Sequence, residues 1–113
     1  MDASTDAGPQ NFDLVVIGGG PGGYAAALYG ASAGLDVGLV EFDKIGGTCL
    51  HRGCIPAKEL LETAAIVRTV KHAGDFGVIV EPKSVEWATT LERKQAVIDK
   101  LAGGVTGLLK NRK

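Results

Sequence analysis

The sequence predicts a small α/β fold, because two short apolar runs flank a segment of helical composition. Residues 12–17 and 35–40 are rich in β-branched side chains, as in strands that are buried on both faces of a parallel sheet. Residues 24–33 are rich in alanine, and Gly34 marks the end of that helix. A strand, a helix and a strand in this order predict a Rossmann-like β-α-β unit of a three-layer domain.

A glycine-rich turn, residues 18–23, joins the first strand to the helix. It fits Gly-x-Gly-x-x-Gly, with Gly18, Gly20 and Gly23 in the three set positions. Alone, the pattern can mark any tight turn, but the strand before it and the helix after it favour a phosphate-binding turn. Gly18 allows the turn, Gly20 lets the backbone approach a pyrophosphate, and Gly23 lets the helix pack close to the strand.

The same unit offers a place for both ends of an adenosine diphosphate group. Pro21 and Gly22 lie in the first helical turn, whose free N–H groups favour a pyrophosphate. Glu41 follows the second strand, about twenty residues after the last motif glycine, where a carboxylate can accept the ribose hydroxyls. Because a carboxylate repels a 2′-phosphate, FAD or NAD fits this position better than NADP.

The two cysteines, Cys49 and Cys54, lie in residues 46–58, just after the second strand. Five residues along an ideal α-helix would separate their Cα atoms by about 8.6 Å, beyond the bridging limit of roughly 7 Å. A disulfide between them therefore needs an irregular backbone. The stretch contains residues that provide one, namely Gly46, Gly47, Gly53 and Pro56.

A redox-active pair is the favoured interpretation of these cysteines, since a bond across such a backbone is easily reduced. Two buried small hydrophobes remain an alternative. Zinc is disfavoured, because Cys-x4-Cys lies at the edge of the usual ligand spacing and only His51 and His72 could complete the site. A redox disulfide beside a nucleotide needs a carrier of electron pairs to sulfur, so FAD is the preferred ligand.

The remaining segments complete one small domain over residues 12–113. Residues 56–71 suit a largely buried helix, residues 76–80 a short strand, and residues 84–109 an amphipathic helix whose last turns fray or bend at three glycines. The apolar side of that last helix is expected to be core, and it comprises Trp87, Leu91, Ile98, Leu101, Val105 and Leu108. Residues 1–11 carry almost nothing apolar and are expected to be a disordered tail.

Composition limits the classes of partner. The chain has 113 residues, of which 45% are hydrophobic, and its net charge is −1. This charge gives no electrostatic footprint for nucleic acid. The sequence has no apolar run that would span a membrane and no export signal, so a cytoplasmic location is expected.

Two stretches together closely resemble the FAD-dependent pyridine nucleotide-disulfide oxidoreductases. Residues 18–27 read GGGPGGYAAA and residues 46–58 read GGTCLHRGCIPAK; residues 103–110 are also typical of that family. Within it, the chain most resembles members that oxidise dihydrolipoamide, because the Cys-Ile-Pro-x-Lys ending differs from that of glutathione reductases. Mercuric reductase and other related members remain alternatives.

The resemblance implies roles for individual residues. Cys49 would exchange with the dithiol substrate, Cys54 would lie as a thiolate against the flavin, and Lys58 would lie near the flavin ring. The remaining cofactor contacts would come from Gly18, Gly20, Pro21, Gly22, Gly23, Glu41, Gly46, Gly47 and Thr48, with Cys49 also touching the cofactor. His51 and Ala57 depart from the family's common asparagine and serine.

Members of that family are several times longer, so the chain is expected to be the N-terminal portion of a FAD-binding domain. The resemblance implies NAD as electron acceptor, a homodimer and possible service in a 2-oxo acid dehydrogenase complex, all for the full-length enzyme. The isolated chain is expected to be inactive, since the NAD domain and the base of the family have no counterpart here. The alternative is a shortened, non-catalytic nucleotide-binding module.

Overall fold

A computed structural model of the protein describes residues 8–81 and 84–112. The elements follow one another as β1 (Leu14–Ile17), α1 (Pro21–Ser32), β2 (Val37–Val40), α2 (Gly47–Arg52), α3 (Cys54–His72) and α4 (Trp87–Asn111). A short 3₁₀ helix, Ala73–Phe76, extends the end of α3. Within these residues no helix is both long enough and apolar enough to cross a membrane.

The predicted β-α-β unit is confirmed. β1 and β2 pair in parallel, with Leu14 opposite Val37 and Ile17 opposite Val40. Two parallel strands need a crossover connection, and α1 provides it. The α/β fold class is therefore correct, and the described residues form one partial unit with a two-stranded sheet.

α1 packs very closely on one face of the sheet because glycines face the strands. A Cβ atom placed on Gly30 would lie 3.1 Å from the side chains of both Leu14 and Val37. A Cβ atom on Gly23 would lie only 1.6 Å from the carbonyl oxygen of Gly18, far closer than two non-bonded atoms can approach. Gly23 therefore allows the helix to start directly against the end of β1, as its position in the motif predicted.

The prediction that both strands are buried on both faces is wrong for this chain. Residues of β1 alternate between half-buried and exposed, and Ile17 is 86% exposed. Val40 of β2 is also exposed, while the ring of Phe12 covers Gly38 on the face away from α1. The described part of the chain supplies helices for one face of the sheet, so it contains two of the three expected layers.

The two long helices are confirmed, with small changes at their ends. α3 begins two residues before the predicted start, and α4 begins three residues after it. α4 continues through its three glycines as one helix of 25 residues, so the helix does not end near residue 103, and the expected fraying or bend stays a prediction. Helical hydrogen bonds are kept here because a glycine lowers helix stability without removing a backbone donor.

The apolar side of α4 is less buried than predicted. Ile98 is buried, on a helix that packs against α1, α2 and α3. Trp87 is 57% exposed, and Leu91, Leu101 and Leu108 are exposed as well. The spacing of the apolar residues correctly predicts that α4 has one apolar side, but the described neighbours of α4 cover only part of that side.

The predicted strand at residues 76–80 is wrong. Phe76 ends the 3₁₀ helix, Gly77 adopts a left-handed conformation, and the amide of Val78 donates to the carbonyl of Ala73 at 3.1 Å. A strand needs a neighbouring ladder to pair with, and β1 and β2 do not reach this segment in the described structure. Residues 8–11 lack helix and strand, and residues 1–7 of the expected tail lie outside the described residues.

Replacement of Gly23 should test the close packing at the start of α1. Gly23→Ala forces a methyl group into the Gly18 carbonyl, so we expect a loss of more than about 3 kcal/mol in the free energy of unfolding. Gly22→Ala is the matched control, because a Cβ atom there meets nothing within 4 Å. Urea denaturation followed by circular dichroism measures both, and equal midpoints for the two variants would contradict the packing described.

Candidate active site

The N-terminus of α1 is open towards the glycine-rich turn. Gly20 occupies the N-cap position without a side-chain cap, and Pro21 occupies the first turn. The helical ladder begins where the amide of Tyr24 donates to the carbonyl of Gly20 at 2.9 Å. The earlier amides, those of Gly22 and Gly23, precede the ladder, so this end of the helix can bind an anion.

Glu41 lies directly beside this turn. Its Oε2 accepts a hydrogen bond from the amide of Gly19 at 2.6 Å, and its Oε1 accepts from the amides of Phe42 and Asp43 at 2.8 and 2.9 Å. These bonds, first that from Asp43 and then that from Gly19, hold the pKa of Glu41 below its ordinary value. Since a carboxylate has about four lone-pair positions, one acceptor position remains for a ligand hydroxyl.

The start of α2 touches the same turn. The amide of Gly46 donates to the carbonyl of Gly19 at 2.8 Å, and Gly47 has a φ of +64°. A Cβ atom on Gly47 would lie 2.7 Å from the Cα atom of Gly20, so the two backbones meet at a distance that a side chain would prevent. The contact brings the predicted pyrophosphate-binding residues and the cysteine stretch into one site.

The cysteines form a disulfide across a break between two helices. α2 ends at Arg52 and α3 begins at Cys54, with Gly53 outside the helical region at φ −127° and ψ −105°. The Cα atoms of Cys49 and Cys54 lie 4.6 Å apart, well within the bridging range. The irregular backbone that the spacing required is confirmed, and a pair of buried, unbonded small hydrophobes is excluded because the cysteines are bonded to each other and Cys54 is exposed.

Two further candidate residues lie on these helices. Thr48 is exposed in the first turn of α2. Lys58 is exposed on α3, four residues after Cys54, so both side chains project from the same side of that helix. The structure thus gathers the glycines, Glu41 and the disulfide, and it leaves Lys58 one helical turn away.

Three residues that make contacts in and around the loop before α2 were not singled out in the sequence, namely Asp43, Ile45 and Arg52. Asp43 pairs with Nη1 of Arg52 at 2.9 Å, and the carbonyl of Ile45 accepts a hydrogen bond from Nε2 of His51 at 2.8 Å. A cavity of about 190 Å³ opens between Glu41, Asp43, His51 and Arg52. His51 and Arg52 do carry a signal, since basic side chains are favoured in the last turn of a helix, but their partners follow from the folded loop.

Acid titration should reveal the carboxylate of Glu41. Its lowered pKa means that the folded state binds its proton less readily than the unfolded state, so its contribution to stability is present above the unfolded pKa. That contribution should be lost as the pH falls below about 5. Urea midpoints at pH 3 to 7 should therefore fall more steeply for the wild type than for Glu41→Gln. Parallel pH profiles would contradict the three amide contacts, and Glu62→Gln at an exposed site of α3 is the control.

Comparisons with known proteins show the family of the chain. The model of the family described as pyridine nucleotide-disulphide oxidoreductase matches residues 12–113. A dihydrolipoyl dehydrogenase of Bacillus subtilis (strain 168) is 50% identical over 102 residues, which cover 90% of this chain and 22% of the relative. A dihydrolipoyl dehydrogenase of Chlamydia trachomatis is 47% identical over 104 residues, covering 92% of this chain and 22% of the relative.

A solved structure is similar as well. It is the Cu(II) complex of the HOCl-induced flavoprotein disulfide reductase RclA from Escherichia coli, which is 28% identical with a TM-score of 0.68. The match covers 88% of this chain and 20% of that one. The chain thus spans about a fifth of the length of the relatives that it matches. With a family model that matches nearly all of its residues, the chain belongs to the pyridine nucleotide-disulphide oxidoreductase family.

Proposed function

We propose that this chain forms the FAD-binding and redox-disulfide part of a dihydrolipoyl dehydrogenase. The observation that carries the proposal is the contact between the start of α2, the helix of Cys49, and the glycine-rich turn, through Gly46 and Gly19. It joins a phosphate-binding element to a disulfide that is accessible at Cys54. The relatives at 50% and 47% identity are named dihydrolipoyl dehydrogenase, which supports this substrate class.

The residues present fit the adenosine diphosphate part of FAD. The open end of α1 would hold the pyrophosphate, and the spare acceptor position of Glu41 would accept a ribose hydroxyl. The full set proposed to hold the cofactor is Gly18, Gly20, Pro21, Gly22, Gly23, Glu41, Gly46, Gly47, Thr48, Cys49 and Lys58. When bound, FAD supplies an acceptor for the electron pair of a dithiol, and NAD is the final acceptor in the whole enzyme.

The cysteines would perform a thiol–disulfide exchange. A thiolate of dihydrolipoamide attacks the sulfur of Cys49, which forms a mixed disulfide and releases the thiolate of Cys54. The second substrate thiol then attacks the substrate's own sulfur in that mixed disulfide, so that lipoamide leaves and Cys49 is released as a thiolate. The substrate loses two electrons and two protons, and the former disulfide has become a dithiol.

Other features of the enzyme belong to the whole protein. NAD, a homodimer, a catalytic base and service in a 2-oxo acid dehydrogenase complex are proposals for a chain about four times as long as this one. The substrate is dihydrolipoamide or another small dithiol, and the reducing cytoplasm is the expected compartment. By itself, the chain should form no NADH from dihydrolipoamide.

A second candidate is another flavoprotein disulfide reductase. The similarity to the reductase from Escherichia coli favours it, since that protein shares the fold at 28% identity. The higher identity to the dihydrolipoyl dehydrogenases makes the first candidate the better supported one. Rates of exchange of the disulfide with dihydrolipoamide, glutathione and other thiols would separate the two.

An absorbance spectrum of the purified chain with FAD tests the proposal. After free flavin is removed, we expect retained flavin bands that shift when dithiothreitol reduces the disulfide, because the thiolate of Cys54 would then lie near the flavin ring. Cys54→Ser should keep the bands and lose the shift, whereas Cys49→Ser should show a shifted spectrum without reductant. Failure of the wild-type chain to bind FAD, or a shift that survives in Cys54→Ser, would contradict the proposed site.

A further inference from the structure

The position of α2 depends on contacts outside the helix. It has six residues, far fewer than the roughly 12–15 that an isolated helix needs even to be marginally stable in water. Leu50 is buried, and the amide of Gly46 holds the N-terminal end against the glycine-rich turn. The C-terminal end, which lies closest to Cys54 in sequence, needs anchors of its own.

Two side chains provide those anchors, and both reach back to the loop that joins β2 to α2, residues 41–46. Nε2 of His51 donates to the carbonyl of Ile45 at 2.8 Å in a half-buried position. A carbonyl only accepts hydrogen bonds, so Nε2 carries the proton. Arg52 pairs with Asp43 at 2.9 Å, with side chains that are 60% and 40% exposed, so this contact is the weaker of the two.

These anchors matter most when the disulfide is reduced. In the oxidised protein the covalent bond itself holds Cys49 on α2 close to Cys54 on α3. In the dithiol the bond is gone, and the helices are joined through Gly53, whose backbone is not helical. The contacts of His51 and Arg52 then determine how much of the reduced protein keeps the two thiols within reach of each other.

We propose that His51 and Arg52 are positioning residues that hold α2 in place in the reduced protein and thereby favour formation of the Cys49–Cys54 disulfide. The biological meaning of this role rests on the proposed function, since it would set how readily the pair accepts electrons from a dithiol substrate. Glu41 belongs to the same loop, residues 41–46. The contacts of His51 and Arg52 therefore also connect the proposed ribose-binding carboxylate to the helix that carries Cys49.

The equilibrium with dithiothreitol measures this role directly. The two protein thiols lose two electrons and two protons to oxidised dithiothreitol, which becomes the dithiol. The purified chain would be equilibrated in mixtures of the two forms, and free thiols would be alkylated and counted by mass. His51→Leu should shift the equilibrium about three- to tenfold towards the dithiol, which corresponds to roughly 15–30 mV. Arg52→Gln should shift it about two- to fourfold.

Matched variants separate positioning from general loss of stability. His51→Gln keeps an N–H donor of similar reach and should recover most of the wild-type equilibrium. His72→Leu and Arg68→Gln change the same residue types at exposed sites of α3 and should match the wild type. A purely structural role would lower the urea midpoints of the oxidised and reduced forms alike and leave the equilibrium unchanged.

Equilibria of His51→Leu and Arg52→Gln that match those of their controls would overturn the proposal. Should His51→Leu fail to fold by circular dichroism, Arg52→Gln decides, because it changes an exposed side chain. Binding of FAD to the wild-type chain is measured separately. A shifted thiol–disulfide equilibrium in these variants without FAD binding by the wild type would therefore support the positioning role and count against the proposed function. FAD binding with an unshifted equilibrium would support the proposed function and count against the positioning role.

Discussion

The close approach of two glycine-rich backbones is the constraint on which the site depends. The turn at residues 18–23 meets the start of α2 where Gly20 and Gly47 have no side chains, and the hydrogen bond from Gly46 to Gly19 closes the contact. A side chain on Gly47 would push α2, and the disulfide with it, away from the open end of α1. This contact brings the open N-terminal end of α1 and the Cys49–Cys54 disulfide into one site.

The close packing of Gly23 against the Gly18 carbonyl also helps to build this site. It lets α1 begin immediately after β1, so that the helix terminus, the end of β2 and Glu41 lie together at the carboxyl end of the sheet. Glu41 links these elements, because its carboxylate accepts hydrogen bonds from amides of both the glycine-rich turn and its own loop. The Glu41 carboxylate is therefore part of the framework of the site as well as a candidate ligand contact.

Features encoded in local patterns could be predicted from the sequence. The β-α-β unit, α3 and α4 follow from apolar periodicity and from glycines that mark the ends of elements. The break at Gly53 follows from the geometry that a bond between Cys49 and Cys54 requires. The strand at residues 76–80 could not be judged locally, because an apolar run forms a strand only where a partner strand is available. The burial of Ile17 and Trp87 likewise depends on which elements cover them, and periodicity gives only the side that is apolar. The contacts of His51 and Arg52 depend on the path of a loop, which carries no periodic signal.

The short spacing of the disulfide has a consequence for the integrity of the fold during redox cycling. Its two cysteines are separated by five positions, so the bond closes a very small loop. In the chain-entropy description, such a loop removes little freedom from the unfolded chain, on the order of 2 kcal/mol, whereas a loop of about 100 residues removes nearly 5 kcal/mol. Opening the bond therefore takes away only a modest part of what keeps the chain folded. If the pair cycles as proposed, hydrophobic packing and backbone hydrogen bonds would maintain the fold in both covalent forms.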